Sequence, residues 1–263
     1  MSETDVFKHS TPELYDRYMV PFLFEPYARV VAERVVSLQP ARILETAAGT
    51  GIVTRAMRGV LPQADIVATD INPAMLELAA RHVAKERTAF EPANAQDLPY
   101  PDASFDAVVC QFGIMFFPDK VLANREARRV LHPAGHYLLV TFDRLDRNPV
   151  TSAAETAVAA MFPDDPPRYM ERGPFSYADP DSIEQDLRAA GFTDIDLETI
   201  GLSSRIDARD AANGMVFGSP FRGEIERRDP TGLERAADAV TEALRPFDGL
   251  DAPISAHLVT ATR

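Results

Sequence analysis

An open α/β sheet of parallel strands is the fold this sequence predicts, and three observations carry the prediction. Between Ala41 and Asp143 short β-like apolar runs recur, amphipathic helical patterns lie between them, and a turn of small residues joins the first run to a helix. Strands that alternate with helices imply parallel neighbours joined by crossovers, because parallel strands cannot be linked by a tight hairpin. At 263 residues, 46% hydrophobic and 25% charged, the chain can bury the core of one large α/β domain.

The elements follow in chain order. Phe24, Ala28, Val31 and Val35 mark an amphipathic helix, preceded by the segment YDRYMVPF that begins at Tyr15. RILE, Arg42–Glu45, is the first strand and runs into the small-residue turn. DIVATD, Asp65–Asp70, is the next run and also ends in an acid. From Pro73 to Val83, Leu76, Ala79, Ala80 and Val83 share one helical face, with Glu77, Arg81 and Lys85 opposite. FDAVVCQ, Phe105–Gln111, is a strand, Lys120–Leu131 a helix stopped by His132-Pro133, and His136–Phe142 a further strand. Asp179-Pro180 opens a helix lined by Ile183, Leu187 and Ala190 and closed by Gly191. Thr193–Ile200 and His257–Thr262 read as two more strands, and Leu233, Ala237, Val240 and Leu244 mark another helix. With no repeat and no linker, one domain spans residues 1–263, its core about 39–143, 179–206 and 254–263. The remaining stretches, about 1–38, 144–178 and 207–253, are expected to be helical cover for a ligand crevice at the carboxyl ends of the strands.

Composition narrows the function. A net charge of −13, with no basic stripe, makes nucleic acid and anionic membrane surfaces poor partners. The single cysteine, Cys110, can form neither an intramolecular disulfide nor a multi-thiolate metal site, and no His/Cys/carboxylate group has ligand spacing. The acidic N-terminal stretch is unlike a signal peptide, and no apolar run approaches the roughly 20 residues of a membrane span. A cytoplasmic protein with a small-molecule partner is the expectation.

ILETAAGTGIVT, Ile43–Thr54, is the strongest local signal. Small residues let a ligand lie against bare backbone, and the helix N-terminus offers unpaired N–H groups. Such a turn can hold NAD, a flavin or S-adenosylmethionine, or it can simply allow tight strand-to-helix packing. The G-x-G-x-x-G spacing of dinucleotide sites is not met, since position 47 is Ala, and no Gly-Lys-Ser/Thr follows. Asp70 lies nineteen positions after Gly51, where an acid can accept hydrogen bonds from both hydroxyls of a ribose. Asp followed by Ile-Asn-Pro also suits a helix-starting turn.

Ala93–Asp119 adds a polar turn before the Phe105 strand and an aromatic-rich turn after it. Together these features make the chain resemble the class I S-adenosylmethionine-dependent methyltransferases, in the branch of the ubiquinone- and menaquinone-type enzymes. Their acid-x-(G/A)-x-G-x-G motif is matched by Glu45, Ala47, Gly49 and Gly51, and their ribose acid by Asp70. Their G-D-A-x-x-L-P-F-x-D motif aligns with Ala93–Asp102, with Asn94 where an Asp is usual. Phe105-Asp106 and LHPAGHYLLVTF complete a resemblance that covers about residues 40–143. It implies a Rossmann-like, doubly wound, seven-stranded, mostly parallel sheet with an antiparallel last strand, plus the helical cover segments. It also implies S-adenosyl-L-methionine as cofactor and S-adenosyl-L-homocysteine as product. Glu45, Ala47, Gly49, Gly51, Asp70, Ile71, Asn94, Ala95, Gln111 and Phe112 are then cofactor-binding residues, Asn94 and Ala95 at the adenine, Gln111 and Phe112 beside the methyl group.

Tyr15 and Tyr18 are plausible lid residues over the cofactor, within a segment running from Phe7 to Phe24; packing of an N-terminal helix explains them equally well. No catalytic residue stands out. His82 reads as exposed, His132 and His136 flank a distal turn, His257 reads as a surface residue, and only His9 could reach the crevice. Met and Phe residues in the cover segments, such as Met161, Phe162 and Met215, favour an apolar or aromatic small acceptor, while Arg168, Arg172 and Arg222 could hold a carboxylate. The expected activity is S-adenosylmethionine-dependent methylation of a small molecule. An NAD(P)-dependent oxidoreductase and a non-catalytic S-adenosylmethionine-binding protein are the alternatives.

Overall fold

The computed structural model describes residues 11–263; Phe7 and His9 lie outside the described residues. Seven strands form one sheet: β1 (Arg42–Glu45), β2 (Asp65–Asp70), β3 (Thr88–Pro92), β4 (Phe105–Gln111), β5 (Leu131–Phe142), β6 (Asp194–Arg205) and β7 (Asp251–Thr262), in the order β3-β2-β1-β4-β5-β7-β6. β3, β2, β1, β4 and β5 pair in parallel, and β7 lies antiparallel to β5. This is the open α/β sheet that the sequence pattern predicts, in the doubly wound, mostly parallel form with an antiparallel last strand that the family resemblance implies.

The chain starts at β1, winds outward through β2 and β3, and returns to β4 on the other side of β1. The order therefore reverses between β1 and β4, and in open α/β sheets ligands bind in the crevice beyond the carboxyl ends at such a point. Register places Glu45 beside both Ala68 and Val109, so the carboxyl ends of β1, β2 and β4 share one edge. Ile43, Leu44, Val108, Val109, Leu138 and Leu139 are fully buried, as the continuous apolar runs of parallel strands require.

Two compact units are present. One contains most of the sheet: Tyr27–Phe142, Tyr177–Ile200 and Ala256–Arg263. The other comprises residues 11–26 of the described chain, Asp143–Ser176 and Gly201–Ser255. Its helices Pro149–Met161, Ala208–Phe217, Phe221–Arg228 and Leu233–Leu244 bury Val150, Val158, Met215, Phe221, Val240 and Leu244. In the same unit Tyr15–Phe24 forms a π-helix with Pro21 inside it. Proline lacks the N–H that an α-helical ladder needs, and the wider turn continues to Glu25, whose N–H bonds the carbonyl of Val20. The segment packs closely on Ala208–Phe217, since a Cβ at Gly214 would come within 2.8 Å of Met19 and 3.0 Å of Tyr18.

The structure differs from the sequence pattern at four points. β3 is a strand where the sequence pattern marks none. β5 begins at Leu131, which pairs with Phe105, and the ladder resumes at His136–Ala107, so His132–Gly135 form an irregularity within the strand. β6 and β7 extend beyond the expected Thr193–Ile200 and His257–Thr262. His257 is buried at 2% exposure, because the last strand lies between β5 and β6.

Candidate functional site

β1 delivers Glu45 to the carboxyl edge, where its side chain is buried and accepts a hydrogen bond from the Thr54 hydroxyl at 2.5 Å. Thr54 sits in the first turn of the helix Ile52–Val60, so this bond ties the two ends of the glycine turn together. Burial pushes the Glu45 carboxyl up to about 8, the Thr54 bond pulls it down, and the charge of Asp70 adds to the rise. The ordinary value is 4.5, so between about pH 4.5 and 8 the folded protein holds a proton that the unfolded chain releases. The Glu45 contribution to stability is therefore complete below that window and is lost as pH rises through it. Glu45→Gln keeps an acceptor for Thr54 and removes the titration. Denaturant unfolding is expected to show a fall in stability from about pH 5 to 8 that is shallower in Glu45→Gln; parallel falls in the two proteins would rule Glu45 out as the titrating group.

Asp70, at the end of β2, organises the next layer. Gly49 N–H donates to its Oδ2 at 2.8 Å and Asn72 N–H to its Oδ1 at 2.8 Å. Burial raises the carboxyl above its ordinary range, opposed by N–H bonds from Asn72, Gly49 and Ile71. The helix Pro73–His82 has a cap of its own in Asn72, whose Oδ1 accepts from Ala74 N–H at 3.1 Å. Asp70 is therefore not needed to start that helix by direct capping. A carboxylate has about four acceptor positions, so even with these N–H bonds it keeps acceptor capacity for a ligand hydroxyl.

The turn fits a ligand lying along it. Gly49 has φ +55, and a Cβ there would meet nothing within 4 Å, which leaves its face open. Gly51 has φ +81, and a Cβ would come 2.9 Å from that of Ala79, so this glycine allows the helix Pro73–His82 to pack. Within the turn the Thr50 hydroxyl is buried without a hydrogen-bond partner. Ala47 adopts φ +52 and Phe112, just after β4, φ +55. Both are uncommon for residues with side chains and cluster where the strand order reverses, as strained residues at binding sites do.

Gln111 is the last residue of β4 and is 9% exposed. The Phe112 ring is buried, stacked on Phe142 at 4.1 Å between centroids and edge-on to Tyr27 at 5.4 Å. Asn94 stands at the turn after β3, where its Oδ1 accepts from Gln96 N–H at 2.9 Å. Ala93 N–H bonds the Asp70 carbonyl at 3.1 Å and joins this turn to β2. Glu45, Ala47, Gly49, Gly51, Asp70, Ile71, Asn94, Ala95, Gln111 and Phe112 thus all belong to turns and strand ends on one edge of the sheet. Tyr15 and Tyr18 belong to the other compact unit, where Tyr15 stacks on Phe24 at 5.2 Å.

Other reactive groups are occupied by structure. Burial pushes the Cys110 thiol up to about 11. His257 Nε2 faces the Ala178 carbonyl at 3.0 Å and Nδ1 the Thr199 hydroxyl at 2.9 Å. The carbonyl can only accept, so Nε2 carries a proton and is engaged. Arg168 pairs with Glu171 and Arg222 with Glu226. Among the described residues, no group of three or more His, Cys, Asp or Glu could hold a metal ion, and no helix is long and apolar enough to cross a membrane. The Thr54 partner of Glu45, nine residues on across the turn, has no local sequence signal, whereas the capping role of Asn72 is signalled by the Asn-Pro pair that opens its helix.

Residues 44–139 match the family model described as a methyltransferase domain. The demethylmenaquinone methyltransferase of Deinococcus radiodurans is 33% identical over 182 residues, 63% of this chain and 73% of that protein. The ubiquinone/menaquinone biosynthesis C-methyltransferase UbiE of Hahella chejuensis is 40% identical over 119 residues, 43% of this chain and 47% of that protein. Among solved structures, Haemonchus contortus phosphoethanolamine N-methyltransferase 2, in complex with phosphomonomethylethanolamine and S-adenosylhomocysteine, superposes with a TM-score of 0.64 at 17% identity. That likeness covers 100% of this chain and 61% of that one, and it speaks for the fold.

Proposed function

The chain belongs to the class I S-adenosylmethionine-dependent methyltransferases of the ubiquinone/menaquinone type, and on that premise we propose that it methylates a ring carbon of a quinol-type acceptor. S-adenosyl-L-methionine is its cofactor, as it is for the family. The observation that carries the site assignment is the Asp70 carboxylate, fixed by Gly49 and Asn72 N–H beside the open face of Gly49. In this reading Asp70 holds the ribose hydroxyls, and the turn 46–51 lies along the amino-acid portion. Asn94 and Ala95 meet the adenine, and the backbone at Gln111 and Phe112 borders the methyl group. Tyr15 and Tyr18 keep a proposed part as cover, a role that rests on the sequence pattern of their segment alone. The whole chain acts as one catalytic domain in the cytoplasm.

When bound, the cofactor supplies a methyl group already activated on a sulfonium. The chain's own residues then have to align the acceptor and exclude water. A quinol ring carbon is made nucleophilic by its own hydroxyl groups, which suits a site whose cysteine and histidine are engaged elsewhere. The acceptor class is supported by the names of the two relatives. The test is transfer of a labelled methyl group to a panel of hydroquinones, phenols, amines and carboxylic acids. Label is expected on ring carbon of a hydroquinone bearing an apolar tail. Transfer confined to amines or carboxylates would overturn the acceptor assignment while leaving the methyltransferase assignment in place.

A further inference from the structure

The turn that follows β3 has little sheet pairing of its own between Pro92 and Phe105, yet it is held at both ends. One end is the bond from Ala93 N–H to the Asp70 carbonyl. The other is a single arginine on the helix Lys120–Val130. Arg129 Nη2 donates to the Leu98 carbonyl at 2.9 Å, and Nη1 donates to the Tyr100 carbonyl at 2.7 Å and to Asp102 at 2.9 Å. Nε and Nη2 also grip Glu126 at 2.7 Å each. Guanidinium has five N–H donors in a fixed fork, and these five contacts use all of them. Glu126, on the same helical face three residues earlier, closes the ring by accepting from Leu98 N–H at 2.9 Å. The Glu126 side chain is 16% exposed and that of Arg129 30%, so this part of the network is shielded, while Asp102 at 72% is not. A second tie runs from Asp119 N–H, just before the helix, to Gln96 Oε1 at 2.7 Å.

We propose that Glu126 and Arg129 are positioning residues that set the cofactor's adenine specificity, by clamping the turn that carries Asn94 and Ala95. The inference rests on the reading above that this turn meets the adenine. The clamp fixes the backbone of residues 98–100, Gln96 is tied separately to the helix start, and Asn94 folds onto Gln96 N–H. Positions 94–96 are thereby held relative to Asp70. Lysine cannot replace Arg129 here, because an ammonium lacks the fork that bridges two carbonyls and two carboxylates.

The test uses the full chain and three measurements. These are amide hydrogen exchange of residues 94–98 without ligand, affinity for S-adenosylhomocysteine, and the preference for it over S-inosylhomocysteine, in which the adenine amino group is replaced by oxygen. In Arg129→Ala, and in Arg129→Lys should the first variant not fold, exchange is expected to accelerate. S-adenosylhomocysteine affinity is expected to fall about tenfold, with the preference shrinking alongside it. Glu126→Gln should move the same readouts in the same direction. Arg188→Ala, which breaks an exposed helical ion pair, should leave all three unchanged. Unchanged exchange in the Arg129 variants would overturn the clamp. Faster exchange with unchanged affinity and preference would overturn the placement of adenine on this turn. A loss of thermal stability alone, with the preference intact, would make the pair merely structural and overturn the proposal.

Discussion

Asp70→Ala is expected to weaken S-adenosylhomocysteine binding by about ten- to a hundredfold while the protein remains folded. Charge-assisted hydrogen bonds from two ribose hydroxyls to one carboxylate carry about 1.5–3 kcal/mol that alanine cannot replace. The loss has a second component, because Gly49 and Asn72 N–H both end on this carboxylate and would lose their acceptor. Asp70→Asn retains one carbonyl oxygen and should fall between wild type and alanine. The fold should survive, since the helix that follows is capped by Asn72. Calorimetric titration reads the effect directly. Wild-type affinity in a folded Asp70→Ala protein would leave Asp70 with only its role in the turn.

Gly113→Ala should produce the largest effect for one added methyl group. That methyl would lie 2.4 Å from the Cβ of Ala47 and 3.0 Å from the sulfur of Cys110. Gly113 has φ −101, so the obstacle is space and not backbone angle. Overpacking of this kind costs about 1–3 kcal/mol, and here it would also push the glycine turn away from the end of β4. Ala47→Gly removes the opposing methyl and relieves the strained φ of +52. The double variant is therefore expected to recover more than half of the stability that Gly113→Ala loses, a coupling of about 1 kcal/mol or more. Denaturant unfolding of the four proteins of the cycle measures it. Strict additivity would show that the approach of positions 47 and 113 is not what limits the site.

The parts of the fold that were legible are those in which one residue pattern has one physical meaning. β1 and β2 have the expected bounds because a short strand buried on both faces must be a continuous apolar run ending at a turn. β3 escaped because it is the edge strand, half-buried to exposed and ending in Pro92, so it lacks that signature. The start of β5 was hidden by His132-Pro133, which stops the preceding helix and yet lies within the strand. His257 was read as exposed because a terminal strand is easily placed at an edge, whereas β7 inserts between β5 and β6.

Of the candidate site, the glycine turn and Asp70 stand out by spacing, since a turn at a strand end and an acid one strand later are local features, while Glu45 enters only through the family motif. The clamp does not stand out. Arg129 binds the backbone carbonyls of Leu98 and Tyr100, groups that every residue carries and no sequence pattern marks. Many apolar residues of the cover segments, Met170, Phe175, Met215 and Phe221 among them, are buried at 6% exposure or less. A Met- or Phe-rich pattern does not distinguish a unit's own core from a surface that faces an acceptor.

Amide chemical-shift mapping during titration with S-adenosylhomocysteine shows whether the carboxyl edge at β1, β2 and β4 binds the cofactor. Gly49, Gly51, Asp70, Ile71, Asn94, Ala95 and Phe112 are expected to shift together along one binding curve, and NAD at the same concentration is expected to move none of them. Shifts confined to residues away from that edge, or a response to NAD without one to S-adenosylhomocysteine, would contradict cofactor binding there.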